Sequence, residues 1–483
     1  MSSPFPNEIF LHIFTNIDDR PTLRSICRSC RRFRALGMEH RLHTLVWDSK
    51  AEASWDLGLL TNNDDLLRYP VSVFVHPEKD SSSVEYAPWA VRIWEPMATF
   101  QNMRHLSVSN VELSAGFYHV LTHARALTHL SMDDCSVESP PDPLTLPSDP
   151  PISVTHLRLG PKVIHQHPIP LPHFAPFNSR AFKFIEELPL IQHLETEFWV
   201  ALSQPCLPRL TSFKSTTEVW EGQDRTHNYV IHLLSHNQIL VDLAVGPFKP
   251  IYPPPALSSH PHMQGIPVSL PPLPVAPALQ TFVGPTFLVV PLLNVAPSLV
   301  SLEVTTSIVD TQQALDILAH PGVIGLHKIS MHLLCWDEEV VRGVTQCLPE
   351  CREVRVLFAL EQPSEDFLFN LGIDALPRMP FLHTLHLHSF PAPREPYERY
   401  RSVSIQNGDG PPKKPAAVDP EEEDCGEWLA AWTRYNAELG CVVFEEGRIW
   451  MRRGVGAGVA DSEKAKKKGK GKGKSNWRWE VER

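Results

Sequence analysis

Between residues 250 and 302 this 483-residue chain has no Asp, Glu, Lys or Arg. Such a run invites a membrane reading. Pro267, Pro271, Pro272, Pro274, Pro277, Pro285, Pro291 and Pro297 defeat it, because they leave no uninterrupted stretch of the roughly 20 residues that a spanning helix needs. No membrane partner is expected. The chain also lacks any Asn-x-Ser/Thr sequon, and its nine cysteines are odd in number and scattered behind no apolar leader, which reads as reduced thiols in an intracellular setting, cytoplasmic or nuclear. There is no Gly-x-Ser-x-Gly elbow, Walker loop or His-Glu-x-x-His pair. Gly454-Val455-Gly456-Ala457-Gly458 is glycine-rich but follows a closing strand and precedes a basic tail, outside the strand-turn-helix context of a phosphate loop. These absences predict a non-catalytic chain with no cofactor.

A metal is not expected either. Cys27-x-x-Cys30 followed by His40-x-x-His43 resembles a zinc set in composition, yet nine residues separate the pairs and two separate the histidines. Zinc fingers use about twelve and three to five. The formal charge of −11 is uneven: the last 23 residues hold nine Lys and Arg against four Asp and Glu, a local +5, which leaves −16 on residues 1–460. An acidic body of this kind has no footprint for nucleic-acid binding.

What the chain has in excess is proline, 47 residues. That is about twice the usual share of roughly 5% and predicts many irregular connections and few long helices. The length favours a small module joined to a large quasi-repeating body over one globule.

The small module is legible at the N-terminus. Pro6 suits a helix opening, Glu8 lies where the helix dipole favours an anion, and Ile9, Phe10, Ile13, Phe14 and Ile17 recur at helical spacing. Asp18, Asp19 and Pro21 stop that helix. Leu23, Ile26, Cys27, Cys30 and Phe33 then form a second apolar stripe among Arg24, Arg28, Arg31, Arg32 and Arg34. About fifty residues can barely bury so much apolar surface alone, which calls for a partner.

These residues resemble the F-box family. Phe5-Pro6 stands at its Leu-Pro opening, Glu8-Ile9 with Ile13 at its first helix, and Ile26-Cys27-Arg28 with Phe33 at its closing motif. The chain departs from the pattern at Phe5, where Leu is usual, and at Cys30, near a common Trp. The resemblance implies docking on a Skp-type adaptor, and through it on a cullin, with Phe5, Pro6, Ile9, Ile13, Leu23, Ile26, Cys27 and Phe33 as the contacting residues.

From about residue 100 a Leu-x-x-Leu-x-Leu triplet recurs. Met103/Leu106/Val108, Leu127/Leu130/Met132, Val154/Leu157/Leu159, Leu299/Leu302/Val304, Leu326/Ile329/Met331, Cys351/Val354/Val356 and Leu382/Leu385/Leu387 are clear cases, with weaker ones centred on Leu194, Leu210, Leu243 and Phe282. The mean step is about 28 residues, within the leucine-rich-repeat range. An F-box ahead of irregular leucine-rich repeats resembles many fungal F-box proteins. The expected fold is therefore α/β: a small all-helical N-terminal module, then an irregular repeat solenoid with a parallel sheet on its concave face, then a disordered tail. Residues flanking the inner apolar positions supply a candidate target-binding face: His105, His129, His156, Arg158, Glu303, Lys328, Arg355 and His386. Histidine directly precedes the repeat Leu at 105, 129, 156 and 193, where stacked imidazoles would repel when protonated below about pH 6.5.

The expected divisions are 1–48 for the helical module, 49–100 for a connecting segment and first irregular repeat, and 101–390 for the repeat body. A disordered Pro-rich and acidic insertion follows at 391–424, then a cap helix and hairpin at 425–454, the helix face carrying Trp428, Leu429, Trp432 and Tyr435. Residues 455–483 read as a disordered basic tail, whose lysines from Lys464 to Lys474 resemble a nuclear-import signal. The function expected is that of a substrate-recognition subunit of an SCF-type ubiquitin ligase, acting by proximity. A repeat scaffold without a ligase role is the alternative.

Overall fold

The computed structural model describes residues 6–17, 19–77, 87, 89–137, 152–160, 188–196, 207–215, 223–246, 271–360, 362–389, 428–429, 431–444, 448–454 and 477–482. Phe5, the 391–424 insertion and the lysine run Lys464 to Lys474 lie outside them. The chain forms two compact units, Met1–Thr217 with Asn228–Leu240, and Glu218–His227 with Val241–Arg483.

The first unit opens with three helices, α1 (Asn7–Thr15), α2 (Arg20–Ser29) and α3 (Arg31–His43). Asp19 caps α2 by accepting from Thr22 N at 2.8 Å, and hydrogen bonds from the Thr22 side chain first and its backbone second hold the Asp19 carboxyl below the usual range. Cys30 turns the backbone to extended geometry and its Sγ accepts from Phe33 N at 3.3 Å, so the second apolar stripe is two helices broken at Cys30. Phe14, Leu23 and Cys27 form the buried centre of the module, with Phe10, Ile17, Ile26, Phe33 and Leu36 packed around it. Gly37 permits the α2–α3 approach: a Cβ there would lie 2.6 Å from Cys27 Sγ.

No linker separates α3 from the sheet. β1 (Thr44–Trp47) follows at once and pairs in parallel with β2 (Ser72–Val75) and onward with β3 (His105–Ser109), β5 (His129–Asp133), β7 (His156–Leu159), β8 (His193–Thr196) and β9 (Ser212–Ser215). The short strands β4 (Glu112–Leu113) and β6 (Ser136–Val137) pair separately. Leu45, Val73, Leu106, Leu130, Leu157, Leu194 and Phe213 are in register, and none is more than 2% exposed. Period-2 alternation buries these side chains and turns their neighbours to the other face.

Two placements differ in detail. The first strand of the repeat is centred on Leu45, within residues 1–48, and Val73 centres the next coil within residues 49–100, where a connecting segment and a first irregular repeat are expected. The weak triplet placed on Leu210 centres on Phe213, which pairs with Leu194, while Leu210 fills the buried position three residues earlier. Asn110 and Asp134 stand one residue past β3 and β5 with φ of 54° and 46°, a left-handed step that Asn and Asp tolerate best among residues with a side chain.

Returning segments cover the buried side of the sheet. In α4 (Lys50–Thr61), buried Asp56 accepts from Trp47 Nε1 at 3.2 Å and from Arg41 at 3.1 Å, tying α3, β1 and α4 together. Trp94 of α5 (Trp94–Met97) meets Phe117 of α6 (Ala115–His123) edge-on at 5.3 Å.

In the second unit β10 (Asp242–Val245), β11 (Thr281–Gly284), β12 (Ser301–Val304), β13 (Lys328–Cys335), β14 (Glu353–Leu360), β15 (Thr384–Ser389) and β16 (Cys441–Phe444) are parallel, with Leu243, Phe282, Leu302, Ile329, Val354, Leu385 and Val442 in register. Between strands, Asp310, Asp337 and Ser364 cap the helices Thr311–Leu318, Glu338–Cys347 and Glu365–Asn370. The charge-free run contains the ten-residue helix Thr286–Val295, and among the described residues no helix is long and apolar enough to cross a membrane.

The last parallel coil is closed by a short helix whose Trp432 is fully buried and donates from Nε1 to Leu368 O at 3.0 Å. Tyr435, expected on the same apolar face, is 46% exposed. β17 (Arg448–Gly454) then returns antiparallel to β16, and β18 (Trp477–Glu482) returns antiparallel to β17. Residues 477–482, expected in a disordered tail, are thus a sheet strand; alternating Trp477, Trp479 and Val481 suit that role.

Candidate functional site

Each coil of the first unit presents two side chains on the face away from the apolar row. One row runs Ser72, His105, His129, His156, His193, Ser212; the other runs Phe74, Ser107, Ser131, Arg158, Glu195, Lys214. Together they line a groove of about 550 Å³. Parallel in-register pairing stacks like on like, so four histidines become a column: ring centroids lie 4.3 Å apart from His105 to His129, 4.0 Å from His129 to His156 and 4.2 Å from His156 to His193.

The threonine ahead of each central histidine orients its ring. Thr128 Oγ1 lies 2.9 Å from His129 Nδ1 and 3.3 Å from Arg104 O, and Thr155 Oγ1 lies 2.9 Å from His156 Nδ1 and 3.3 Å from Thr128 O. Both carbonyls already accept two backbone N–H groups at 2.9 Å. Each hydroxyl donates to its carbonyl, and its contact with Nδ1 fixes the plane of the following ring.

Burial pushes the pKa of both central rings down, and neighbouring rings add to it: His105 and His193 for His129, and His129, His193 and His105 for His156, which falls to about 4. Both are neutral at pH 7. Beside them Glu195 accepts from Lys214 Nζ at 3.2 Å and has Arg158 Nε at 3.7 Å.

Of the sequence-predicted face, His105, His129, His156 and Arg158 come together here. Ser72 and Phe74 were missed because the coil at Val73 has no Leu triplet, and Lys214 because the triplet was centred three residues early. His193 belonged to the same His-before-Leu recurrence and was the available signal. Lys328, Arg355 and His386 fall in the second unit around Glu353, whose carboxylate lies 3.1 Å from Lys328 Nζ and 2.6 Å from Arg355 Nε. Burial opposes ionisation of Glu353, but the two cations outweigh it and its pKa is lowered. His386, paired with Arg355 across the strands, drops to about 4 through burial first and the guanidinium second. Glu303 sits opposite Ser330 on the same sheet.

The expected adaptor residues separate by burial. Pro6, Ile9 and Ile13 are exposed, the isoleucines at 44% and 46%, whereas Leu23 and Cys27 belong to the module's centre and Ile26 and Phe33 pack against it. Among the described residues no group of three His, Cys, Asp or Glu side chains could hold a metal.

No family model matches the sequence. No curated protein matches it either. Solved structures similar to it include a leucine-rich-repeat protein of Leptospira interrogans, 12% identical over 70% of this chain and 83% of that one, with a TM-score of 0.29. Drosophila Toll in complex with Spatzle is 12% identical over 78% of this chain and 47% of its own, at 0.31, and TLR13 in complex with ssRNA13 is 12% identical over 68% and 51%, at 0.35. The chain spans about half the length of the Toll and TLR13 chains. What decides the fold is the register of this chain itself, in which Leu-x-x-Leu-x-Leu triplets stack apolar position on apolar position through parallel strands. Each unit is a leucine-rich-repeat coil. Irregular steps are tolerated because the returning segments need only cover the buried row.

Proposed function

We propose that this chain is the target-recognition subunit of an SCF-type cullin ubiquitin ligase: the N-terminal helices dock on a Skp-type adaptor, and the repeat sheet holds a protein target. The observation that carries the reading is on α1, where Ile9 and Ile13 stand one turn apart, each nearly half exposed, over a module whose own centre closes without them. Exposed apolar side chains at i and i+4 are the form a helix takes when it awaits an apolar partner surface. The mechanism is proximity. Holding a target beside the ubiquitin-charged enzyme raises the effective concentration of its lysines and requires no chemistry from this chain.

A second reading has its own observation. α3 runs into β1 without a linker and Arg41 on α3 pairs with Asp56 behind the first coil, as expected of an N-terminal cap on a repeat scaffold without a ligase role. Co-expression with a Skp-type adaptor separates the two. The ligase subunit co-purifies with the adaptor and Ile9→Asp/Ile13→Asp abolishes this; a cap leaves the adaptor unbound from the start.

A further inference from the structure

The charge of the groove runs against the charge of the chain. Residues 1–460 carry −16, yet the groove lining has two cations, Arg158 and Lys214, and Glu195 as its sole carboxylate, beside four histidines and four serines, Ser72, Ser107, Ser131 and Ser212. The serines offer O–H donors, and each central ring carries one N–H when neutral and two once protonated. Glu195 already shows how a carboxylate sits against Arg158 and Lys214, and these keep 63% and 48% of their side chains exposed. We propose that this groove is a docking site for an acidic peptide segment, whose carboxylates lie along the histidine column and are bound with uptake of protons by it. The inference deepens the target-receptor reading and rests on it.

The column supplies the coupling. Burial, and after it the neighbouring rings about 4 Å away, keep His129 and His156 neutral in the free protein. The charged and titratable groups facing them are His105 on β3, His193 and Glu195 on β8, Arg158 on β7, Lys214 on β9 and Asp133 at the end of β5. Of these, Glu195 is engaged by two cations and does not compensate the imidazoles. A ligand carboxylate does, and the ring can respond without rearrangement: in the protonated ring both nitrogens donate, Nδ1 to the threonine Oγ1, whose own hydrogen goes to the carbonyl 3.3 Å away, and Nε2 to the ligand. A nucleic acid would also bring negative charge, but two cations beside a carboxylate neutralise too few phosphates for that.

The test is fluorescence anisotropy of labelled hexaglutamate against the full chain at pH 7.5 and pH 5.5, with a Gly-Ser peptide of equal length and a single-stranded oligonucleotide as controls. Glutamate carboxylates stay ionised in this window, so the response belongs to the protein. His156 restored from about 4 to an ordinary histidine value of about 6.5 makes binding about tenfold tighter at pH 5.5 than at pH 7.5, and His129, lowered in the same direction, adds to it. The double variant His129→Gln/His156→Gln should lose the pH dependence, with its fold checked by circular dichroism. Arg158→Ala, a mostly exposed side chain, should weaken binding at both pH values, and His123→Gln, outside the groove on α6, should retain the full response. Equal affinity at the two pH values, equal binding of the Gly-Ser peptide, tighter binding of the oligonucleotide, or no hexaglutamate binding at pH 5.5 each overturns the proposal. Adaptor co-purification from the same preparation reports on the ligase reading separately.

Discussion

His129 and His156 stack with ring centroids 4.0 Å apart and 16° between their planes, at positions paired directly across adjacent parallel strands. The same backbone pairing that aligns Leu130 with Leu157 in the core aligns these rings on the groove, so core register and groove chemistry cannot be changed independently.

Acid should destabilise the protein through these rings. The unfolded chain takes up protons on histidine as pH falls through about 6.5, whereas His156, and in the second unit His332 and His386, hold out to about 4, with His129 lowered in the same direction. Between those values the unfolded state binds more protons. Stability is therefore full above about pH 6.5, falls as pH drops toward 4, and levels off below. The thermal midpoint should follow that course, and His156→Gln should flatten part of it; a midpoint constant from pH 7 to pH 4.5 would falsify this account.

The exposed and buried residues of the helical module should behave differently on substitution. Ile9→Asp/Ile13→Asp should change stability by no more than about 0.5 kcal/mol while abolishing adaptor co-purification. Phe14→Ala empties the centre of the module and should cost about 3 to 5 kcal/mol. Urea titration of both variants checks the contrast, and a large loss of stability in the isoleucine pair would place those side chains in the module's own core.

Asp56→Ala removes the carboxylate between Arg41 and Trp47 Nε1, with both side chains of the ion pair at most 10% exposed. Breaking a buried pair from one side costs about 3 to 5 kcal/mol. Replacing Asp56 by Asn, which can still accept from the indole, should lose less. Equal denaturation midpoints for the wild type and the alanine variant would show that the pair contributes nothing.

At the far end, Trp432→Ala should destabilise the second unit by about 3 to 5 kcal/mol through lost burial and an unanswered Leu368 carbonyl. Gly372→Ala should destabilise it from the opposite cause, since a Cβ there would overlap Trp432 Cδ1. Combining the two should cost less than their sum, because the alanine at 432 vacates the space that the methyl group needs. Strict additivity in a double-mutant cycle would refute that coupling.

Much of the architecture was legible in the spacing of apolar residues. Triplets such as Leu127/Leu130/Met132 and Leu326/Ile329/Met331 announce a strand with one buried face, because alternation and burial are local properties. The coil at Leu45, lacking that signature, escaped notice, the irregular repeat expected within residues 49–100 had no Leu triplet to place its centre at Val73, and Phe213 was displaced by the leucine three residues before it. β18 was hidden behind the lysine run, whose composition reads as tail although Trp477, Trp479 and Val481 alternate as a strand.

By itself the sequence determined that parallel strands would stack at a step of about 28 residues and that histidine would precede leucine in four of them, since these depend on side-chain type and short-range order. Only the tertiary structure decided which strands are neighbours and in what register, and therefore that His105, His129, His156 and His193 form one column while Glu195 is shared by Arg158 and Lys214. It decided equally that Leu23 and Cys27 close the helical module while Ile9 and Ile13 stay outside it. The reason is common to both: an apolar or titratable side chain takes its role from what packs against it, and contacts between residues 20 to 40 positions apart are set by chain return, which no local pattern encodes.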